Sequence, residues 1–312
     1  MAASALDDLL ASQGVVVLDG GLATELEERG HDLGDRLWSA RLLFEAPEAI
    51  RDVHAAYLLA GADCVTTASY QATLPGLEAH GLSSTQAEEV LRLSVDLARQ
   101  ARDAFVARGA AMHRHRPLVA ASIGPYGACL ANGAEYTGDY DLDEEGLMAF
   151  HRPRWALLAN AGADLMACET LPSAAEARVL ARLLAETPQM HAWFSFTCRD
   201  DGHISDGTPM EDVARSLDGQ PGVAAIGVNC VPPEAVSGLL AAARRGTSLP
   251  LVAYPNSGQG WDAARRRWTG SSDAMLARRA PAWRAAGARL LGGCCCTRPA
   301  DIRQLRMTLL ST

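Results

Sequence analysis

The chain has 312 residues, a net charge of −9, 48% hydrophobic and 21% charged residues, which is the composition of a globular protein long enough for one barrel-sized domain or two ordinary ones. No apolar run approaches the roughly 20 residues that a membrane span needs, and the acidic balance gives no footprint for nucleic acid, so a small-molecule partner is expected, with no membrane and no nucleic acid. All 28 basic residues are arginine, and the absence of lysine excludes Schiff-base chemistry, pyridoxal-phosphate enzymes included.

The opening segment, MAASALDDLLASQG, has aspartates where a secretory signal wants basic residues, so a cytoplasmic location is expected. Short β-rich runs follow in order: Val15–Gly20, Cys64–Tyr70, Leu118–Gly124, Asp164–Thr170, Ala192–Cys198, Val223–Cys230, Leu251–Pro255 and Arg289–Cys294. Their near-continuous apolarity suits parallel strands buried on both faces, and the segments between them carry apolar residues at helical spacing. Three arrivals at strands look alike, LLAGADCVT, ANAGADLMA and RAAGARLLG, each a helix stopped by glycine before a strand. Eight such units predict an α/β fold, a (β/α)₈ TIM-type barrel forming a single domain over 1–312. The alternative is a doubly wound sheet with an added domain, against which stand the absence of a linker and of a Gly-x-Gly-x-x-Gly after the first strand. The surplus length lies after the third run (YGACLANGAEYTGDYDLDEEG) and after the seventh (NSGQGWDAARRRWTGSSD), and both are candidate lids over the C-terminal face.

The predicted strand ends present Asp19, Tyr70, Glu169, Asn229 with Cys230, Asn256, and the run Cys294-Cys295-Cys296 to one face of the barrel. Cys230 ends the sixth strand and the cysteine run the eighth, so with strands ~4.8 Å apart the thiols come within reach of one zinc at Zn–S distances of ~2.3 Å, giving three thiolates and an open position. Adjacent strand residues face opposite ways, so Gly292-Gly293 is expected to break the strand and re-aim the cysteines. The alternative is a flexible, redox-sensitive tail. Cys64, Cys168 and Cys198 are expected to be packing residues and Cys129 to lie in a loop. Asp19 either serves the site or caps the next helix, whereas Glu169, ending an apolar run, needs a cation or donors. His113 and His115 precede the third strand and read as a solvated basic turn on the opposite face.

The segments LDGGLATEL, LWSARLLFEAPEAIRDVH, TASYQAT, ASIGPYGA, ACETLPS, FSFTCRDDGHISDGTP, IGVNC, YPNSG and LLGGCC…TRPADI resemble, in one order over essentially the whole chain, the zinc-dependent homocysteine S-methyltransferases. The stand-alone length is similar to the S-methylmethionine-using branch. The resemblance implies Zn²⁺ on Cys230, Cys294 and Cys295, carboxylates Asp19 and Glu169 holding the amino group of homocysteine, and Asn256 completing the zinc shell when substrate is absent. Where the family usually has a basic residue after the cysteine pair this chain has Cys296, with Arg298 two places on.

The implied activity is methyl transfer from a sulfonium, S-methylmethionine or S-adenosylmethionine, to the zinc-activated thiolate of homocysteine, giving methionine. No side-chain general acid or base is required, because zinc coordination deprotonates a thiol. An aromatic face suits a sulfonium, and Tyr70, Tyr126, Trp261 and Trp268 are the available faces. No segment is left over for a folate- or cobalamin-binding unit. Two other classes use the same residues differently: a zinc hydrolase, which wants histidines, carboxylates and a bound water, and a non-enzymatic structural-zinc or redox protein, which wants a closed site or a resolving cysteine.

Overall fold

The computed structural model of the chain describes residues 4–109, 114–258, 260–262, 267–269 and 276–310. Eight parallel strands form one sheet: β1 (Val16–Val17), β2 (Cys64–Thr66), β3 (Leu118–Ile123), β4 (Leu165–Leu171), β5 (Ala192–Phe196), β6 (Val223–Asn229), β7 (Leu251–Tyr254) and β8 (Ala288–Leu291). In space they run β1-β8-β7-β6-β5-β4-β3-β2, and a parallel bridge between Leu18 and Cys64 joins the two ends. This is the expected (β/α)₈ barrel, with helices on its outside.

The helices follow the signals in the sequence. Pro47 opens the helix Pro47–Ala60, whose Ile50, Val53, Tyr57 and Leu58 are buried, and Gly61 closes it at φ 117°. The other two glycines of the repeated arrival, Gly162 and Gly287, are also left-handed, at φ 88° and 106°. Ser83 and Gln86 form a capping box at the start of the long helix Ser84–Ala107.

Side-chain alternation divides the barrel into an inner and an outer core. Val16, Cys64, Leu118, Ala120, Leu165, Ala167, Trp193, Ala225, Val252 and Leu290 fill the lumen, and Leu6 and Leu9 of the first helix, Ala5–Gln13, close its N-terminal end. On that side Asp63 accepts from Arg306 at 2.7 Å, Arg114 at 3.2 Å and Gln13 at 2.7 Å. His113 lies outside the described residues, and His115 precedes β3 on this face as expected. Among the described residues, no helix is long and apolar enough to cross a membrane.

The strands are shorter than the sequence suggests at their C-terminal ends. β1 stops at Val17 and β2 at Thr66, so Asp19 and Tyr70 stand on segments that have left the ladder. The extra length after β3 holds a helix, Tyr126–Leu130, and a turn, Ala134–Tyr136; Cys129 is therefore helical rather than in a loop. After β7 a short antiparallel pair joins Gly260–Asp262 to Arg267–Thr269. Cys64 and Cys168 are buried in the inner and outer cores and half-buried Cys198 packs against the outer, as expected of packing residues.

The glycine pair after β8 has a reason other than the expected one. Neither glycine has a positive φ. A Cβ on Gly292 would meet Leu18 Cβ at 2.6 Å and the Asp19 carbonyl at 2.8 Å, so bare backbone lets β8 close against the end of β1. Gly292→Ala is expected to destabilise the protein by about 1–3 kcal/mol through overpacking, measured as a lower denaturant midpoint at unchanged slope.

Candidate metal centre and substrate cavity

The three sulfurs reach one point from two strands separated by β7. Cys230 follows β6 at φ 53°, a left-handed conformation unusual for a non-glycine residue, and its N–H donates to the Tyr254 carbonyl at 3.2 Å. Cys294 and Cys295 lie beyond β8 in a turn closed by Thr297 N–H on the Cys294 carbonyl at 3.2 Å, and Cys294 N–H donates to the Pro255 carbonyl at 2.8 Å. The turn, not a strand kink at the glycines, lets two neighbouring cysteines face one way. Sγ separations are 2.9 Å for Cys230–Cys294, 3.4 Å for Cys230–Cys295 and 4.0 Å for Cys294–Cys295. Ligands at ~2.3 Å in tetrahedral array lie about 3.8 Å apart, so sulfurs within 4.0 Å of one another are close enough to share one metal ion. Hydrogen bonds from Cys294 and Cys295 hold the Cys230 thiol well below its ordinary pKa.

Cys296 is not part of this set. It turns away at φ 62°, its N–H on Thr24 Oγ1 at 2.9 Å, and burial pushes its thiol up to about 11. Arg298 pairs with Glu28 at 2.7 Å on the surface and brings no charge to the sulfurs.

Two buried carboxylates share the cavity with the thiols. Asp19 accepts from Thr66 N–H at 2.8 Å and Thr66 Oγ1 at 3.0 Å. Glu169 accepts from Ser122 Oγ and from the Tyr254 hydroxyl, the latter at 3.0 Å; Trp193 Nε1 and Ser195 in turn hold that hydroxyl at 2.9 and 2.5 Å. Burial pushes both carboxyls up to about 7. Just beyond Glu169, Thr170 is left-handed at φ 61°, paired with Asn229, and the β4–β5 register slips there. This bulge sends Leu171 to the outer core and ends the strand's inward row at Glu169.

The cavity has a volume of about 410 Å³ and opens on the C-terminal face. Glu27, Asp32, Asp35 and Glu135 add to its acidic lining, and among the described residues no arginine lines it. Tyr70 lines it beside Trp38, rings edge to face at 6.4 Å. Tyr126 does not; it packs on Tyr140 and Phe150 at 5.3 and 4.9 Å. Asn256 is buried behind the cysteine turn, its Oδ1 taking the Gly258 N–H at 3.1 Å, and the side chains of Trp261 and Trp268 lie outside the described residues. Sequence reasoning misses Trp38, Tyr136, Tyr254, Ser122 and Thr66. For the last three, strand alternation with known inward residues was a usable signal; Trp38 and Tyr136 sit in irregular segments that have no periodicity.

The sequence model of the homocysteine S-methyltransferase family matches residues 16–309. The chain is 52% identical over 300 residues to a homocysteine S-methyltransferase of Escherichia coli strain K12, with 96% of each chain covered. The chain belongs to the homocysteine S-methyltransferase family. The Bacillus subtilis member YbgG is 46% identical over 302 residues, again 96% of each chain. The metallated form of the homocysteine methyltransferase MmuM from Escherichia coli is similar in structure, with a TM-score of 0.88 at 50% identity over 96% of this chain and 98% of that one. As a family member the chain is a methyltransferase, and a metallated relative together with three converging thiols here points to a metal centre.

The buried carboxylates make stability depend on pH. Asp19 and Glu169 ordinarily release their protons near 3.8 and 4.5 but hold them to about 7 in the folded protein, so the folded state binds more protons across that window. Stability of the metal-free protein is therefore expected to fall as pH rises from about 4 to 7, by on the order of 3–4 kcal/mol per group at most. Chemical denaturation at a series of pH values checks this, and Glu169→Gln is expected to flatten the slope by roughly half.

Proposed function

We propose that the barrel, residues 1–312, binds homocysteine and transfers to its sulfur a methyl group from a sulfonium donor, with Zn²⁺ on Cys230, Cys294 and Cys295. The observation that carries this is the meeting of three thiols and two buried carboxylates in one cavity that no arginine among the described residues lines. Zinc, when bound, would keep the homocysteine sulfur as an electron-rich thiolate at neutral pH, where a free thiol with a pKa of ~8.5 is mostly protonated. Asp19 and Glu169 present oxygens to the ammonium of the amino acid, and the protons they hold at neutral pH leave as that cation arrives. Their donors, Thr66, Ser122 and Tyr254, fix the oxygens that face the cavity.

The donor carries its positive charge on sulfur and loses it as methyl moves. Trp38 and Tyr70 offer faces for that cation, and the acidic lining favours it over a neutral or anionic donor. S-methylmethionine is the favoured donor and S-adenosylmethionine the second. Asn256 would complete the metal shell before substrate binds by exchanging the Gly258 N–H for the ion.

Metal analysis and donor assays test this reading. Serine at Cys230, Cys294 or Cys295 is expected to abolish binding of about one zinc per chain, because a hydroxyl is a poorer ligand there than a thiolate, and Cys296→Ser to keep it. Full zinc in Cys230→Ser removes the assignment. With zinc-loaded protein and homocysteine, methionine should form from S-methylmethionine, less from S-adenosylmethionine, and far less from betaine or methyltetrahydrofolate. Asp19→Asn should retain zinc while weakening homocysteine binding by about 2–5 kcal/mol.

A further inference from the structure

Tyr136 has a placement that substrate binding alone does not require. Its hydroxyl stands 3.7 Å from Cys230 Sγ, and it is the only side-chain hydroxyl within hydrogen-bonding distance of any of the three clustered sulfurs among the described residues. Cys230 Sγ is also its one hydrogen-bonding partner there. The turn that carries it is fixed from several sides. Tyr136 N–H closes on the Gly133 carbonyl at 3.0 Å, Ala134 N–H on Asn132 Oδ1 at 3.0 Å, and Thr197 Oγ1 donates to the Glu135 carbonyl at 3.0 Å. From beneath, Gly127 backs the turn so closely that a Cβ there would meet Glu135 N at 2.5 Å. The hydroxyl is thus held in advance against a sulfur that its own left-handed backbone aims outward.

Three thiolates on a divalent cation leave a formal charge of minus one, and a fourth thiolate makes it minus two. The acidic lining of the cavity opposes that step, and no arginine among the described residues lines the cavity to relieve it. A hydrogen bond to a thiolate withdraws electron density from it and lowers what it gives to the metal.

We propose that the Tyr136 hydroxyl donates to the Cys230 thiolate and so lowers the charge on the metal centre enough to admit the sulfur of homocysteine. The proposal rests on the reading that this sulfur joins the three cysteines. Tyr136 keeps its proton throughout and acts through Cys230, as a positioning residue of the metal centre.

Cobalt(II)-substituted protein tests it, parent beside Tyr136→Phe. Without homocysteine, the sulfur-to-cobalt charge-transfer band of the variant is expected at longer wavelength, because its Cys230 thiolate is more electron-rich. Coincident bands overturn the proposal, whatever the substrate. Titration with homocysteine should add thiolate-to-cobalt intensity in both proteins, with about tenfold weaker binding in the variant, the size of one hydrogen bond to a charged group. Equal affinity overturns the proposal. A parent band that does not respond to homocysteine overturns the fourth-sulfur reading instead, and the homocysteine-free comparison still decides whether Tyr136 bonds the thiolate. Tyr136→Leu, which also removes the hydroxyl, repeats both measurements if the phenylalanine variant takes up no cobalt.

Discussion

Like charges cannot be crowded without a counter-charge, and the site is organised around that constraint. Two unit charges 4 Å apart repel by about 4 kcal/mol at an effective dielectric of 20, and three sulfurs here lie within 4.0 Å of one another. Without a cation only one of them can ionise cheaply, which is why Cys230 is drawn down while its partners donate to it. The backbone nevertheless holds all three in place. The segment Tyr254 to Ser257, at and beyond the end of β7, is the splint: its carbonyls at Tyr254 and Pro255 take the N–H groups of Cys230 and Cys294, and Ser257 N–H binds the Cys295 carbonyl. Cysteines from β6 and β8 are therefore positioned by the strand between them, before any ligand arrives.

The same strand couples the sulfurs to the carboxylates. Tyr254 gives its carbonyl to Cys230 and its hydroxyl to Glu169, so the residue that anchors a thiol also orients the oxygen across the cavity from it. Glu169 in turn faces Asp19 closely enough to raise that group's affinity for a proton. A cavity of this kind discriminates by charge before shape. It repels anions, the chain has no lysine and no arginine among the described residues lines the cavity to neutralise them, and it gains most from ligands that bring cations to both ends, a metal at the sulfurs and an ammonium at the oxygens.

The barrel was legible because its signals are local and repeat: apolar runs of strand length, and a glycine at each of three helix exits that the structure finds left-handed. The convergence of Cys230 with the cysteine run was legible too, since strand order alone puts their ends two strands apart. The positions of residues beyond the strand ends were not. Tyr70 and Tyr126 look alike in sequence, one ending a β-rich run and the other just beyond the next, yet one lines the cavity and the other packs under a helix. Their fates depend on how far each strand persists past its neighbour, which is set by pairing across the barrel. The role of Gly292 was misread for the same reason: its close approach is to Leu18, more than 270 positions away in the chain.

Backbone strain falls where the chemistry is, and the opposite end of the barrel carries the compensating order. Trp38, Thr170, Cys230 and Cys296 all adopt left-handed conformations that side chains disfavour, and each lies in the cavity wall or beside the cysteine turn. Such conformations cost on the order of 1–3 kcal/mol apiece and persist only where surrounding contacts over-determine them. Here the contacts are identifiable: Asn229 bonds Thr170 twice, β7 holds Cys230, and Thr24 holds Cys296. At the N-terminal end Asp63 gathers Arg306, Arg114 and Gln13 over a lumen closed by Leu6 and Leu9, a face with bonded charge. The barrel therefore concentrates its unsatisfied charge and its distorted backbone at one end because the other end supplies the rigidity that lets them stand.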